Sequence, residues 1–296
     1  MCQSESVYFI LDSLLIDENH ESSIFCVMNE KLDALKRILK SYEKALIAYS
    51  GGLDSAFLSY VARDVLQKRV ITLTALSPSY PTYEIESAKQ FLMEHDIEHI
   101  FIQSHELDNE AYKANTGDRC YHCKTELYDL CREEAQKRNI TVILNGTNLD
   151  DLKDYRPGLK AAGEKYIQSP LVEAGFTKED IRQCAKSLGL SVWNKPALAC
   201  LSSRFPPGTE VTEERLQRID RIESRLIELG FRQFRVRFHE PIARIEVSQE
   251  EFPRFLNNEV REDIIRICRE NGFLHTALDL EGYKTGSVNQ VLFQIK

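Results

Sequence analysis

Apolar and polar positions along this chain alternate between a helical and an extended period. Leu32, Leu35, Ile38 and Leu39 recur at helical spacing within Asn29–Tyr42, and the short continuous apolar run Ala45–Tyr49 that follows reads as a buried strand. The polar turn Ser50-Gly51-Gly52-Leu53-Asp54-Ser55 comes next, and a helical pattern runs on from Ala56 to Val61. The same rhythm repeats. Val70–Leu76 reads as a strand, Pro78 and Pro81 as a turn, Tyr83–His95 as a helix and His99–Ile102 as a third strand. Thr125–Arg138 then predicts a helix, Thr141–Asn145 a buried strand and Gly146–Asp151 a polar turn. Strands that alternate with helices predict an α/β fold on a parallel sheet. Such sheets bind ligands beyond the carboxyl ends of their strands, which gathers Ser50–Ser55, the Ala75-Leu76-Ser77 strand end and Gly146-Thr147-Asn148 at one edge.

The pattern changes further along. Thr177–Leu188 predicts a helix opened by Thr and acidic residues, and Trp193–Gly208 is rich in Pro, Ser and Gly, which puts a domain boundary near Pro206. Three parts result: an extension of unassigned role over 1–30, a nucleotide-type α/β domain over 31–205 and a smaller α+β domain over 206–296. The last opens with a charged helix over Thr212–Leu229 that ends at Gly230. In Phe231–His239, alternation sets Phe234, Val236 and Phe238 on a core face and Arg235, Arg237 and His239 on a cationic one. Paired arginines on such a face either stay solvated or clamp a phosphate with bidentate hydrogen bonds.

Composition narrows the class. With 296 residues and 43% hydrophobic content the chain fills ordinary cores. Val7–Ile16 is apolar, but no basic segment precedes it and acidic residues follow, so neither a signal peptide nor a membrane helix fits and the cytoplasm is the expected location. A net charge of -8 argues against a general electrostatic grip on nucleic acid. Eight cysteines in such a chain are expected to be reduced, metal-bound or catalytic rather than disulfide-paired.

Chemistry concentrates in four places. The glycines of Ser50–Ser55 permit positive φ and close backbone approach, so N–H groups can turn inward at a helix N-terminus and hold a phosphate. No lysine follows them, which separates the loop from the kinase and GTPase type. Cys120-Tyr121-His122-Cys123 sets two thiolates three residues apart, and Cys200 stands in Lys195-Pro196-Ala197-Leu198-Ala199-Cys200-Leu201-Ser202-Ser203-Arg204. Three thiolates can hold a 4Fe-4S cluster with one iron open, or zinc with His122 as fourth ligand; as free cysteines they would pack as small hydrophobes. Cys131, Cys184 and Cys268 fall in helical patterns and read as packing residues, while Cys2 and Cys26 have no readable context. Asn148, Asp150, Asp151, Asp154, Tyr155 and Arg156 follow a strand, where carboxylates either accompany nucleotide magnesium or cap a turn.

Ser50–Ser55 resembles the PP-loop of the ATP pyrophosphatases, which share an adenine nucleotide alpha hydrolase-like fold. Further stretches resemble the LarE-type sulfur transferases of nickel-pincer cofactor synthesis: Asn145–Asp151, Asp154–Gly158, Ser169–Gly175, Trp193–Ala197, Cys200–Arg204 and Leu280–Ser287. The likeness runs from about Leu32 to near the C-terminus. It implies an enzyme that adenylylates a carboxylate of a pyridinium biscarboxylic acid mononucleotide, releases pyrophosphate and replaces AMP with sulfur. It implies that Cys200 delivers the sulfur and that Cys120, Cys123 and Cys200 carry a 4Fe-4S cluster. By the same resemblance, Ser50, Gly51, Gly52, Asp54, Ser55, Ser77, Ser203 and Arg204 contact ATP, Asp54 and Asp151 lie near Mg2+, and Arg235, Arg237 and Glu223 hold the substrate's phosphate. A homo-oligomer and a sulfur supply from free sulfide or a cysteine desulfurase are expected too. Two other readings stand beside it. One is a PP-loop tRNA thiolase, which the acidic charge disfavours; the other is a noncatalytic nucleotide-binding module built around zinc.

Overall fold

The computed structural model describes residues 27–153, 157–196 and 199–284. Cys2, Cys26, the Val7–Ile16 run, Asp154, Tyr155, Arg156, Ala197, Leu198 and the Thr285-Gly286-Ser287 end of the last motif lie outside the described residues.

A four-stranded parallel sheet organises the first part: β1 Ala45–Ala48, β2 Val70–Leu76, β3 His99–Gln103 and β4 Val142–Leu144, in the order β3-β2-β1-β4. Ala45 pairs with Val70 on one side and Val142 on the other, so β1 is central. That position explains its unbroken apolar run, since side chains on both faces are covered. Ala45, Ile47 and Tyr49 face α1 (27–40), α2 Leu53–Leu66, α3 Thr82–Glu94 and α8 Lys178–Ser187, whose buried residues join them in one core. Leu46 and Ala48 face the opposite way, onto Tyr128, Cys131 and Ala135 of α5 Arg119–Lys137 and Ala161 and Ala162 of α6 Pro157–Glu164. Short helices α4 Glu110–Lys113 and α7 Pro170–Glu173 fill the connections. The α/β fold expected from alternation, with its PP-loop at a β1–α2 turn, is therefore the fold observed.

A separate sheet follows residue 206: β5 Phe234–His239, β6 Ile242–Val247 and β7 His275–Leu278, in that order, antiparallel between β5 and β6 and parallel between β6 and β7. Its apolar face packs on α9 Glu213–Glu228 and α10 Asn258–Glu270 through Val236, Phe238, Ile219, Ile222 and Ile264. Tyr112, Leu201 and Phe205, which precede the expected boundary, belong to this same core.

Candidate functional site

Ser50–Ser55 turns from β1 into α2, with Gly52 as the N-cap and Asp54 in the first helical turn. Gly51 has φ +69°, and a Cβ there would stand 2.7 Å from the Tyr80 hydroxyl, so this position admits glycine alone without strain. Tyr80 donates to the Ser50 carbonyl at 2.6 Å, and Ser55 Oγ accepts from the Ser50 N–H. From the β4 end, Gly146 packs against the start of α2; a Cβ on it would lie 2.8 Å from the Ser55 nitrogen. The β1 and β4 turns thus meet at the carboxyl edge of the sheet, as the strand order predicts.

Two lysines reach this loop from far along the chain. Lys178 Nζ sits 2.5 Å from Asp54 Oδ2. Lys195 Nζ donates to the Gly51 carbonyl and to Ser87 Oγ, both at 3.1 Å, and pairs with Glu84 at 2.5 Å.

Beyond the end of β2, Ser77 and Ser79 both donate to Glu106, a carboxylate buried to 4% exposure. Tyr112 donates to the same oxygen at 3.0 Å and shares a 2.7 Å hydrogen bond with Ser202 Oγ. Leu201 N–H donates to the Ser79 carbonyl at 2.8 Å, which ties the cysteine loop to the strand end. Arg204 holds the same loop from the other side, its Nη1 bonded to the carbonyls of Ala199 and Cys200. Its guanidinium also forms a fork with Glu223, at 2.9 and 2.8 Å, and both side chains are wholly buried. Glu223 further accepts the Val236 N–H, while Arg237 forks onto Glu246 and donates to the Ser203 carbonyl.

Residues 32–152 match the asparagine synthase family. An uncharacterised protein of Synechocystis is 42% identical over 266 residues, 90% of this chain and 99% of that one. The pyridinium-3,5-bisthiocarboxylic acid mononucleotide synthase of Lactiplantibacillus plantarum is 35% identical over 266 residues, 88% of this chain and 95% of that one. An uncharacterised protein of Methanocaldococcus jannaschii is 30% identical, over 88% of this chain and 99% of its own length.

The chain belongs to the LarE family of PP-loop proteins. It is an ATP-using transferase.

The LarE-type residues named from the sequence fall into two neighbouring groups. Ser50, Gly51, Gly52, Asp54 and Ser55 form the loop, and Ser77 stands on the cysteine side with Glu106. Ser203, Arg204, Glu223, Arg235 and Arg237 gather where the 199–205 segment crosses the second sheet. The cationic strand face is the point of difference: Arg235 and Arg237 are 9% and 6% exposed, and only His239 reaches solvent. Arg237 lies under the crossing segment, donating to the Ser203 carbonyl, and the guanidinium of Arg235 lies 5.1 Å from the Tyr283 ring centre. Arg204, expected at the nucleotide, instead spends its fork on Glu223. Asp151 accepts the Asn148 N–H at 3.1 Å, the turn-capping arrangement.

Cys120 and Cys123 stand on the first turns of α5, which begins six residues before the helix expected at Thr125. Burial raises the Cys123 thiol well above its ordinary range, and the Glu106 carboxylate adds to the rise. The Cys120 residue reaches the surface, yet packing around its sulfur and the nearby Cys200 raise its thiol as well, opposed by the positive charges of Arg119 and Lys124. All three sulfurs therefore share one electrostatic neighbourhood. Among the described residues, no three His, Cys, Asp or Glu side chains converge on a single metal ion, and His122 faces Asp118 at 3.3 Å.

Lys178, Glu106 and Tyr112 carried no signal in the sequence. Lys195 did, since it stands inside the Trp193–Ala197 stretch, but nothing local pointed it at Gly51. Among the described residues no helix is long and apolar enough to cross a membrane.

Proposed function

We propose that this chain converts a carboxylate of pyridinium-3,5-biscarboxylic acid mononucleotide into a thiocarboxylate, with ATP cleaved to AMP and pyrophosphate. The observation that carries this reading is the double anchoring of the Cys200 loop. Leu201 binds the strand end beside the PP-loop, and Arg204 and Arg237 bind the loop from the second sheet. One segment thereby adjoins both the site of activation and a basic, buried cluster suited to a substrate phosphate. The likeness to the Lactiplantibacillus plantarum synthase supplies the substrate class.

In this reading the N–H groups at the start of α2 hold the polyphosphate, and Asp54 would hold the accompanying Mg2+. A carboxylate oxygen of the substrate attacks the α-phosphorus, the bond to the bridging oxygen breaks, and pyrophosphate leaves. Sulfide then adds at the acyl carbon and AMP departs with the original oxygen. Arg235, beside the Arg204–Glu223 pair, orients the substrate's phosphate. Cys120, Cys123 and Cys200 are the three thiols that would hold a cluster, and Cys200 and Cys120 lie near enough to act on one another's charge. A 4Fe-4S cluster bound there would present one iron able to carry the sulfide.

Anaerobic protein supplied with ATP, magnesium, sulfide and the mononucleotide should yield AMP, pyrophosphate and a product in which sulfur replaces oxygen. Cys200→Ala should keep AMP formation and lose sulfur transfer. AMP formation that ignores the mononucleotide and requires tRNA overturns the substrate reading. A colourless protein that transfers sulfur through many turnovers overturns the cluster.

A further inference from the structure

The activation chemistry leaves the Leu280–Ser287 stretch without a task, yet Tyr283 within it lies against the buried Arg235 of β5. We propose that Tyr283 is a positioning residue, whose ring holds the Arg235 guanidinium in place to grip the substrate's phosphate; this assignment rests on the mononucleotide reading above and deepens it.

The two strand arginines are held in different ways. Arg237 has a carboxylate fork, with both bonds to Glu246 at 2.9 Å, and Glu246 is itself buried. Arg235 donates through Nη1 to the Phe234 carbonyl at 2.7 Å, and its guanidinium carbon lies 5.1 Å from the centre of the Tyr283 ring, within cation–π range. Burial and the like charge of Arg204 lower the Arg235 pKa from its ordinary value, although Glu223 opposes them. A cation taken out of water beside another cation gains from an anion, and a phosphate accepts its bidentate fork. An aromatic face supports the guanidinium without adding a negative charge that would repel that phosphate.

The ring stands on a turn fastened to β6. Asp279 N–H donates to the Ile245 carbonyl and Tyr283 N–H to the Val247 carbonyl, both at 2.8 Å. Val247 is the cross-strand partner of Phe234, the neighbour of Arg235. Asp279 closes the turn, accepting the Glu281 N–H on its side chain and the Gly282 N–H on its carbonyl. Its carboxylate also takes Arg244 at 2.9 Å, and Arg244 reaches Glu246 at 3.1 Å. One network therefore fixes both the Arg237 fork and the turn that carries Tyr283.

A ring that only orients Arg235 serves bound substrate and transition state alike, so its loss appears in KM. It also acts on a single group of the substrate. The experiment measures AMP formation with the mononucleotide and with the corresponding nucleoside, which lacks the phosphate. Tyr283→Leu is expected to raise the KM for the mononucleotide about tenfold, with kcat, the KM for ATP and the KM for the nucleoside near their wild-type values. Tyr283→Phe, which keeps the ring, should stay within about twofold of wild type. Added to Arg235→Gln, Tyr283→Leu should cost nothing further. Equal mononucleotide KM in wild type and Tyr283→Leu overturns the assignment and leaves the function standing. So does an equal rise for the nucleoside, or a loss in Tyr283→Phe as large as that in Tyr283→Leu. A wild-type chain that forms no AMP with the mononucleotide removes both.

Discussion

Arg204 and Glu223 are the residues whose loss the fold should feel most. Each is fully buried, and each is the other's fork partner, with Val236 N–H as an added donor to the carboxylate. A buried charge without its partner is far costlier than a missing pair. Glu223→Leu, which strands the guanidinium, should therefore destabilise the chain by about 3–5 kcal/mol, whereas Arg204→Met with Glu223→Leu should recover most of that. Urea midpoints for the single and double variants check the difference; a single-variant cost below that of the double would sink it. The double variant should still lose sulfur transfer, since Arg204 Nη1 holds the Ala199 and Cys200 carbonyls in place. At this scale Cys200, Ser203 and Arg204 were legible because they stand together in one short stretch. Glu106 was not, since a single glutamate within a polar segment has no local pattern that foretells three hydroxyl donors.

Edge strand β3 carries a pH dependence of its own. His99 packs edge-on against Tyr49, with ring centres 5.7 Å apart, and its Nδ1 lies 2.6 Å from Thr72 Oγ1. Burial lowers its pKa from 6.5 to about 4. The unfolded chain therefore binds a proton that the native chain refuses between those values. Stability from this group is complete above pH 6.5 and declines as pH falls towards 4. Denaturation midpoints should drop across that window in wild type, and the drop should shrink in His99→Phe; an equal drop in both would count against the assignment. Strand and helix positions were largely readable, and β2 falls on Val70–Leu76 as expected. The start of α5 was missed for a physical reason. Its first turns, Arg119 to Lys124, carry cysteines and charged or polar side chains without an apolar stripe, and its buried face of Tyr128, Cys131 and Ala135 begins only later.

Across the whole molecule, the expected boundary near Pro206 cuts through a shared core. Leu201, Phe205 and Tyr112 pack with Phe238, Val236 and Leu216 from beyond it, and Thr82 at the start of α3 bonds Asp220 of α9. Removing residues before 206 would expose the face they cover. Calorimetry of the full chain should accordingly give one cooperative unfolding transition, and a 206–296 fragment should show none. Two separated transitions in the full chain would mean that the halves fold independently.

By itself the sequence determined the parallel α/β sheet and the PP-loop between its first strand and the following helix, and it singled out three cysteines by their spacing and context. These features are local: side-chain period, glycine conformation and short spacing act over a few residues, so they are written in order along the chain. The tertiary structure decided which charges meet. Lys178 finds Asp54 across 124 residues and Lys195 finds Gly51 across 144, while the fold buries arginines whose strand pattern had left them either solvated or on a phosphate. Ion pairs and burial depend on what packs beside a residue in space, and only the folded chain brings those distant partners together.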